Sequence, residues 1–370
     1  MKTIARFIVL LLVASFIISA CGDITPTTTP DVDITQTPAA EYTPIDLQAG
    51  YGLRGPWFEM YITNPDSPLS PQGTGGIDAP LVESIDGARL SIDVAAYSIS
   101  LNSVRNALIR AHDRGVTVRV VMESTNMDRS DVQRMLEAGI PIRGDDRAGL
   151  MHDKFMVIDR SDVWLGSMNF TDSGTYEDNN NMIHIRSTKI AENYSVEFNE
   201  MFELGRFGPD VGLETPNPSI MLDGTRVETY FSPDDHVLTA IYNLLSEADE
   251  SIYFLAFSFT SNELGGIVRE QAEAGLDIKG VMDREQVASN TGTEYDPFRQ
   301  AGLDVRIDGI DGQMHHKVFI VDGKIVVLGS YNFSKAAEER NDENILIIYN
   351  EKIAEFFIQE FERVYGNANE

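Results

Sequence analysis

Two short segments carry residues whose types and spacing suit chemistry at an anionic centre. His152-Asp153-Lys154 opens an apolar run that ends at Asp159, and His315-His316-Lys317 opens another that ends at Asp322. Side chains alternate along an extended strand, so His152 and Lys154 share one face and His315 and Lys317 share another. Phe155, Val157, Val318 and Ile320 turn the opposite way, into a core. Each segment therefore sets an imidazole beside an ammonium. An imidazole titrates near neutrality and serves as nucleophile or proton carrier. An ammonium neutralises charge growing on nonbridging phosphoryl oxygens. Gly166-Ser167-Met168-Asn169-Phe170 follows the first segment and Gly329-Ser330-Tyr331-Asn332-Phe333 the second, so that the amides of Asn169 and Asn332 add donors. Displacement at a phosphodiester is the reaction such a set would serve, and it calls for no metal.

The elements that position these residues are themselves repeated. The two motifs stand at a constant offset of 163 (315 − 152), without a gap. Ser91–Ser98 is matched by Ser251–Ser258, and each is followed by a helix-like stretch ending at a glycine, Gly115 or Gly275. A β-branched strand comes next in both, Val116–Val121 or Leu276–Val281. Strands alternating with helices predict an α/β fold, and so long a period predicts duplication of a whole domain. Pro209, Pro216 and Pro218 interrupt the pattern, which places a first domain at 51–215 and a second at 216–370.

HxKxxxxD followed by GSxNF, present twice and in register, resembles the phospholipase D superfamily over almost the whole region after residue 55. The resemblance implies two α/β halves packed about a pseudo-two-fold axis, with both HxK pairs in one central cleft of a monomer. It implies a phosphohistidine intermediate and no metal or cofactor. Carried onto this chain, the catalytic set is His152, Lys154, Asp159, His315, Lys317, Asp322 and Glu343, with phosphate held by Lys154, Asn169, Lys317 and Asn332. Asp159 and Asp322 are expected to organise the site rather than to transfer protons.

The halves differ at one telling position. Residue 343 is Glu, whereas its counterpart (343 − 163) is Asn180. In the superfamily a residue here orients a catalytic histidine of the opposite half, which implies that Glu343 serves His152 and Asn180 serves His315. A carboxylate-backed imidazole is the better nucleophile, so His152 is expected to attack and His315 to act as acid and base. His112, His184, His236 and His316 are expected to be structural, as are the aromatic residues Trp57, Phe58 and Tyr61.

The chain has 370 residues, 42% hydrophobic, with a formal net charge of -29, which excludes wholesale disorder and argues against a broad basic surface for nucleic acid or anionic membrane. Its single cysteine, Cys21, excludes an internal disulfide framework and a cysteine-built zinc site. Lys2 and Arg6 precede an apolar run, and Ile18-Ser19-Ala20-Cys21 resembles a bacterial lipobox, so residues 1–20 are expected to be a signal peptide and Cys21 a lipidated membrane anchor. A Thr- and Pro-rich linker is expected over 21–50. This predicts an envelope lipoprotein facing outside the cytoplasm. That location favours a phospholipid substrate. The alternatives are a metal-independent nuclease or a non-catalytic phosphodiester-binding surface protein. Ser124–Ser130 and Arg284–Arg299 follow equivalent strands and are the expected seats of substrate choice.

Overall fold

Both motif segments become central strands of large sheets in the computed structural model, which describes residues 42–209 and 212–369. In the first half, β1 (Thr43–Leu47), β2 (Gly50–Arg54), β3 (Phe58–Thr63), β4 (Ser91–Ala96), β5 (Thr117–Met122), β6 (Ile142–Gly144), β7 (Lys154–Ile158), β8 (Asp162–Gly166) and β9 (Asn181–Arg186) form one sheet. Their spatial order is β1-β2-β3-β9-β8-β7-β4-β5-β6. Its helices are α1 (Asp78–Gly87), α2 (Asn102–Asp113), α3 (Ser130–Glu137), α4 (Asp172–Tyr176) and α5 (Thr188–Asn199).

In the second half, β10 (Ser219–Leu222), β11 (Thr225–Ser232), β12 (Ser251–Ala256), β13 (Asp277–Met282), β14 (Asp304–Ile307), β15 (Lys317–Val321), β16 (Ile325–Gly329) and β17 (Glu343–Tyr349) stand in the order β10-β11-β17-β16-β15-β12-β13-β14. Its helices are α6 (Val237–Ser246), α7 (Asn262–Ala274), α8 (Arg284–Ser289), α9 (Tyr295–Gln300), α10 (Lys335–Glu339) and α11 (Glu351–Asn367). β4-β5-β6 and β12-β13-β14 run parallel, because helices cross over between them, while the motif strands pair antiparallel with their neighbours.

Alternation along the motif strands ties the layers together. Phe155 and Val157 enter a central core with Val318 and Ile320, and that core also takes residues of α5 and α11. Met156 and Ile158 face an outer core under α1, α2 and α3, and Phe319 and Val321 face another under α6, α7 and α9. Each fully buried Phe or Ile contributes roughly 2 kcal/mol of transfer free energy, so the shared core fuses the two halves, and the described residues make one compact unit. α5 begins where Ser187 accepts from the Ile190 N–H, and α11 where Asn350 accepts from the N–H groups of Lys352 and Ile353. Trp57, Phe58 and Tyr61 are buried in these cores. No helix among the described residues is long and apolar enough to cross a membrane.

One boundary differs from the sequence expectation. The Thr/Pro linker expected through residue 50 gives way earlier, because Thr43–Leu47 pairs antiparallel with Gly50–Arg54. Ile45 and Leu47 pack on the first outer core, and Pro44 is tolerated because β1 is an edge strand. Residues 1–20, Cys21 and the linker as far as residue 41 lie outside the described residues.

Candidate active site

The residues immediately before β7 and β15 are drawn into the opposite half by backbone pairing. Met151 bridges Asp342, and Met314 bridges Asn179. His152 N–H donates to the Asp342 carbonyl at 2.9 Å, and His315 N–H donates to the Asn179 carbonyl at 3.0 Å. Asn179 and Asp342 each lie one residue before the polar side chain at the critical position, so the bridge delivers that side chain across the pseudo-two-fold. His152 Nδ1 lies 2.7 Å from Glu343 Oε2, and His315 Nδ1 lies 2.9 Å from Asn180 Oδ1. Both acceptors fix the proton on Nδ1 and leave Nε2 unprotonated in the neutral ring.

The Gly-Ser steps after β8 and β16 support these acceptors. A Cβ on Gly166 would stand 2.2 Å from the Asn181 carbonyl oxygen, and one on Gly329 2.1 Å from that of Asn344, so only glycine allows the strands to approach. Ser167 Oγ then donates to Asn180 Oδ1 at 2.8 Å and accepts from the Asn181 N–H. Ser330 Oγ accepts from the Asn344 N–H at 3.0 Å. Asn344 Nδ2 donates to Asp153 Oδ1 at 2.6 Å, and Asn181 Nδ2 donates to His316 Nδ1 at 2.8 Å, a second crossed pair behind the first.

Lys154 Nζ donates to the His152 carbonyl at 2.5 Å, and Lys317 Nζ to the His315 carbonyl at 2.7 Å. Tyr97 and Phe257, at the ends of β4 and β12, floor the two pairs. Their rings meet His152 and His315 edge-on at 5.2 and 4.6 Å, and the lysine ammonium groups lie 5.2 and 4.6 Å from the same ring centres. His152 is 7% exposed and His315 3%, and Lys154 and Lys317 are buried. Burial pushes the His152 imidazole down to about 4 against the pull of Glu343, and pushes Lys154 down to about 7. His315 and Lys317 are also well below their usual ranges, through burial and then neighbouring positive charge. Each lysine's charge acts on both histidines, which places the four groups in one electrostatic neighbourhood. Asn169 and Asn332 are partly exposed, each with its Oδ1 buried and unpartnered among the described residues.

Asp159 and Asp322 do not belong to this centre. They sit at the far ends of β7 and β15, with positive φ of 51° and 54° in the turns to β8 and β16. The Asp159 carboxylate accepts from the N–H groups of Arg89, Leu90 and Ser91, and that of Asp322 from Asp249, Glu250 and Ser251. A short acceptor that tolerates positive φ is what this turn requires. The motif aspartates therefore fasten the start of β4 and β12, and the expected role in organising the site is corrected to this structural one. His184 is likewise structural, stacked on Trp164 at 4.7 Å with Asp162 2.8 Å from its Nε2. His316 is held between Asn181 and Glu360.

Sequence reasoning missed Tyr97 and Phe257, although both close the best-matched duplicated strands. It also missed the second crossed pair, whose signal was the identity of Asn181 and Asn344 at the offset of 163.

A duplicated α/β chain with this paired site is matched twice by the family described as "Cardiolipin synthase, PLD-like domain", at residues 81–202 and 241–365. The chain belongs to that family and so to the phospholipase D superfamily. Its enzymatic class is accordingly that of a phosphodiesterase-type hydrolase. It is 33% identical over 148 residues to a phospholipase D of Rickettsia typhi, covering 40% of this chain and 72% of that protein. It is 35% identical over 132 residues to a mitochondrial cardiolipin hydrolase of Canis lupus familiaris, covering 36% of this chain and 52% of that protein. The phosphatidylserine synthase of Haemophilus influenzae shares its fold, with a TM-score of 0.63 and 15% identity over 80% of this chain and 88% of that one.

Proposed function

We propose that the chain hydrolyses phospholipid phosphodiesters through a phosphohistidine on His152. The observation that carries this reading is the unequal crossed pairing, in which a carboxylate backs His152 and a neutral amide backs His315. With its proton held on Nδ1 and its basicity lowered by burial, His152 presents a neutral Nε2 lone pair at pH 7. Nε2 attacks phosphorus, the N–P bond forms and the P–O bond to the alcohol breaks. Protonated His315 gives its proton to the departing alkoxide, then takes one from the water that cleaves the N–P bond and releases the phosphomonoester. Glu343 stabilises the cationic phosphoimidazole. Lys154 and Lys317 neutralise the nonbridging oxygens, helped by Asn169 and Asn332.

The low proton affinity of His315 and the lysines belongs to the empty site. A phosphodiester anion reverses the local field and draws protons back onto them. Phospholipid is favoured by the names of the two relatives and by the lipobox-like sequence ending at Cys21, which would hold the chain at a membrane. The test is a panel of phosphatidylcholine, phosphatidylethanolamine, cardiolipin, and single- and double-stranded nucleic acid. Release of phosphatidate or of a head-group alcohol is expected. Cleavage of nucleic acid with all three lipids untouched would overturn the substrate reading.

A further inference from the structure

α5 and α11 are equivalent under the offset of 163, and each places one buried glutamate behind a motif segment, Glu197 in the first half and Glu360 in the second. In the second half that charge is answered in full. Glu360 accepts from Arg363 Nε and Nη2 at 2.8 Å, from Tyr51 Oη at 2.5 Å, and faces His316 Nε2 at 2.9 Å. The first-half counterparts of His316 and Arg363 are residues 153 (316 − 163) and 200 (363 − 163), which are Asp153 and Glu200. A guanidinium and an imidazole N–H donor have become two carboxylates. No cation or hydrogen-bond donor reaches Glu197 from the described residues, and the charges that act on it are those of Asp153, Asp342, Asp234 and Glu200.

Asp234 enters this group from the second half, just after β11. Carboxylate oxygens of Glu197, Glu200 and Asp234 lie within 4.8 Å of one another. Glu200 is only 4% exposed, and while its Oε2 accepts from the Leu213 N–H at 2.7 Å, its Oε1 is buried with no partner among the described residues. Asp153 Oδ2, fully buried beside His152, is also unpartnered among them. Asp234 is half-buried and Glu200 fully so, and like charges gathered around a vacant lone pair are costly unless a cation completes them.

We propose that Glu197, Glu200 and Asp234 bind a calcium ion, which does in the first half what the guanidinium of Arg363 does in the second. An all-oxygen donor set selects a hard cation over zinc or copper. Oxygens up to 4.8 Å apart suit calcium, whose ligands stand about 2.3–2.6 Å from the metal, better than magnesium at about 2.1 Å. The ion would join the end of α5 to the segment after β11, clamping the halves behind the candidate nucleophile without touching substrate. The proton is the rival occupant. Burial, Glu200 and Asp235 push Asp234 up to about 6, and burial and neighbouring carboxylates push Glu197 well above its usual range.

The test uses the full chain, stripped with a chelator, dialysed and titrated with calcium or magnesium at pH 7.5 by calorimetry and thermal unfolding. One calcium per chain is expected, with Tm rising by about 3–6 °C at a hundredfold excess over Kd. Glu200→Arg rebuilds the second-half arrangement and should abolish the calcium response while unfolding no lower than the stripped wild type. Glu200→Gln, a smaller change, should weaken calcium binding at least tenfold. Absence of any heat or Tm shift in the wild type would assign the cluster to protons and overturn the proposal, as would an undiminished response in both Glu200 variants. A response to magnesium but not calcium would overturn the choice of ion. Hydrolysis by the stripped chain, measured well below its Tm, tests the reading of the two lysines separately.

Discussion

Glu343, on the first residue of β17, holds the Nδ1 of His152 at 2.7 Å across the junction of the two halves, although the two residues are 191 positions apart in the chain. The contact follows from backbone pairing, since the Asp342 carbonyl accepts from the His152 N–H. Its counterpart is geometrically the same and chemically different, because Asn180 brings an amide to His315. The site is thus symmetric in position and asymmetric in charge.

That asymmetry predicts unequal consequences. Glu343→Gln keeps the shape and removes the charge that stabilises a cationic His152, so kcat should fall about 10- to 100-fold, with slower formation of the covalent intermediate. Asn180→Ala should slow the proton-transfer steps more than the attack. Rapid-quench measurement of the burst separates the two, and equal loss of burst rate in both variants would remove the basis for assigning the nucleophile.

The motif aspartates should behave as stability residues. Asp322→Ala strips an acceptor from three N–H groups at the start of β12, which costs about 1–2 kcal/mol because water partly replaces it. Asp159→Ala should do the same at β4. Tm should drop by a few degrees while kcat at low temperature stays within about twofold of the wild type. A collapse of kcat with unchanged Tm would restore them to the active site.

Much of this arrangement was legible because the sequence is duplicated. The offset of 163 predicts two like α/β halves and the two HxK faces, and the resemblance to the superfamily supplies the crossed roles of Asn180 and Glu343. Alternation places Phe155, Val157, Val318 and Ile320 correctly, since all four enter the central core while the residues between them face the outer ones. What stayed hidden depends on contacts that sequence distance conceals. The bridges from Met151 to Asp342 and from Met314 to Asn179 are isolated pairings with no periodic signal. The turn aspartates were misread because membership of the HxKxxxxD motif implies a place in the site, although a strand's length separates each from its histidine. β1 was hidden by its Thr/Pro surroundings, where only Ile45 and Leu47 mark an inward face.

Anion binding should take up protons. Burial holds Lys154 down to about 7, and burial together with Lys154 holds Lys317 low, so the empty site has shed protons that an anion needs. The bound state carries more protons than the free state, and affinity for inorganic phosphate or tungstate should therefore fall as pH rises above about 7, by up to tenfold per pH unit for each proton taken up. Calorimetry in buffers of different ionisation enthalpy measures the uptake. Zero uptake near pH 8 would mean that the lysines remain charged in the empty site.

The N-terminal expectation and the corrected strand boundary can be tested together. Cys21→Ser should release the chain from the membrane fraction or leave it unprocessed, and unchanged partitioning would defeat lipid anchoring. A chain beginning at residue 42 should be soluble and active at any dilution, because one polypeptide carries both HxK pairs. A chain beginning at residue 50 loses β1 and with it the packing of Ile45 and Leu47. It should be less stable by about 2 kcal/mol and should expose β2 as a new sheet edge prone to aggregation.

The decisive separation is between the two histidines. His152→Ala removes the attacking nitrogen, so no phosphoenzyme should form with any substrate and hydrolysis should fall to background. His315→Ala leaves the nucleophile, Glu343 and both lysines in place. It should be far slower with an ordinary phospholipid, whose alkoxide needs a proton, yet retain the first step with a nitrophenyl phosphodiester, whose leaving group departs with little assistance. Loss of the same imidazole also removes the base that activates water, so the His315 variant should accumulate phosphohistidine after a single burst of nitrophenolate. Acid-labile, alkali-stable phosphate mapped by mass spectrometry to His152 is the expected result. Phosphate trapped on His315 in the wild-type chain would reverse the two roles and would require a neutral amide to support the cationic intermediate better than the carboxylate of Glu343 does.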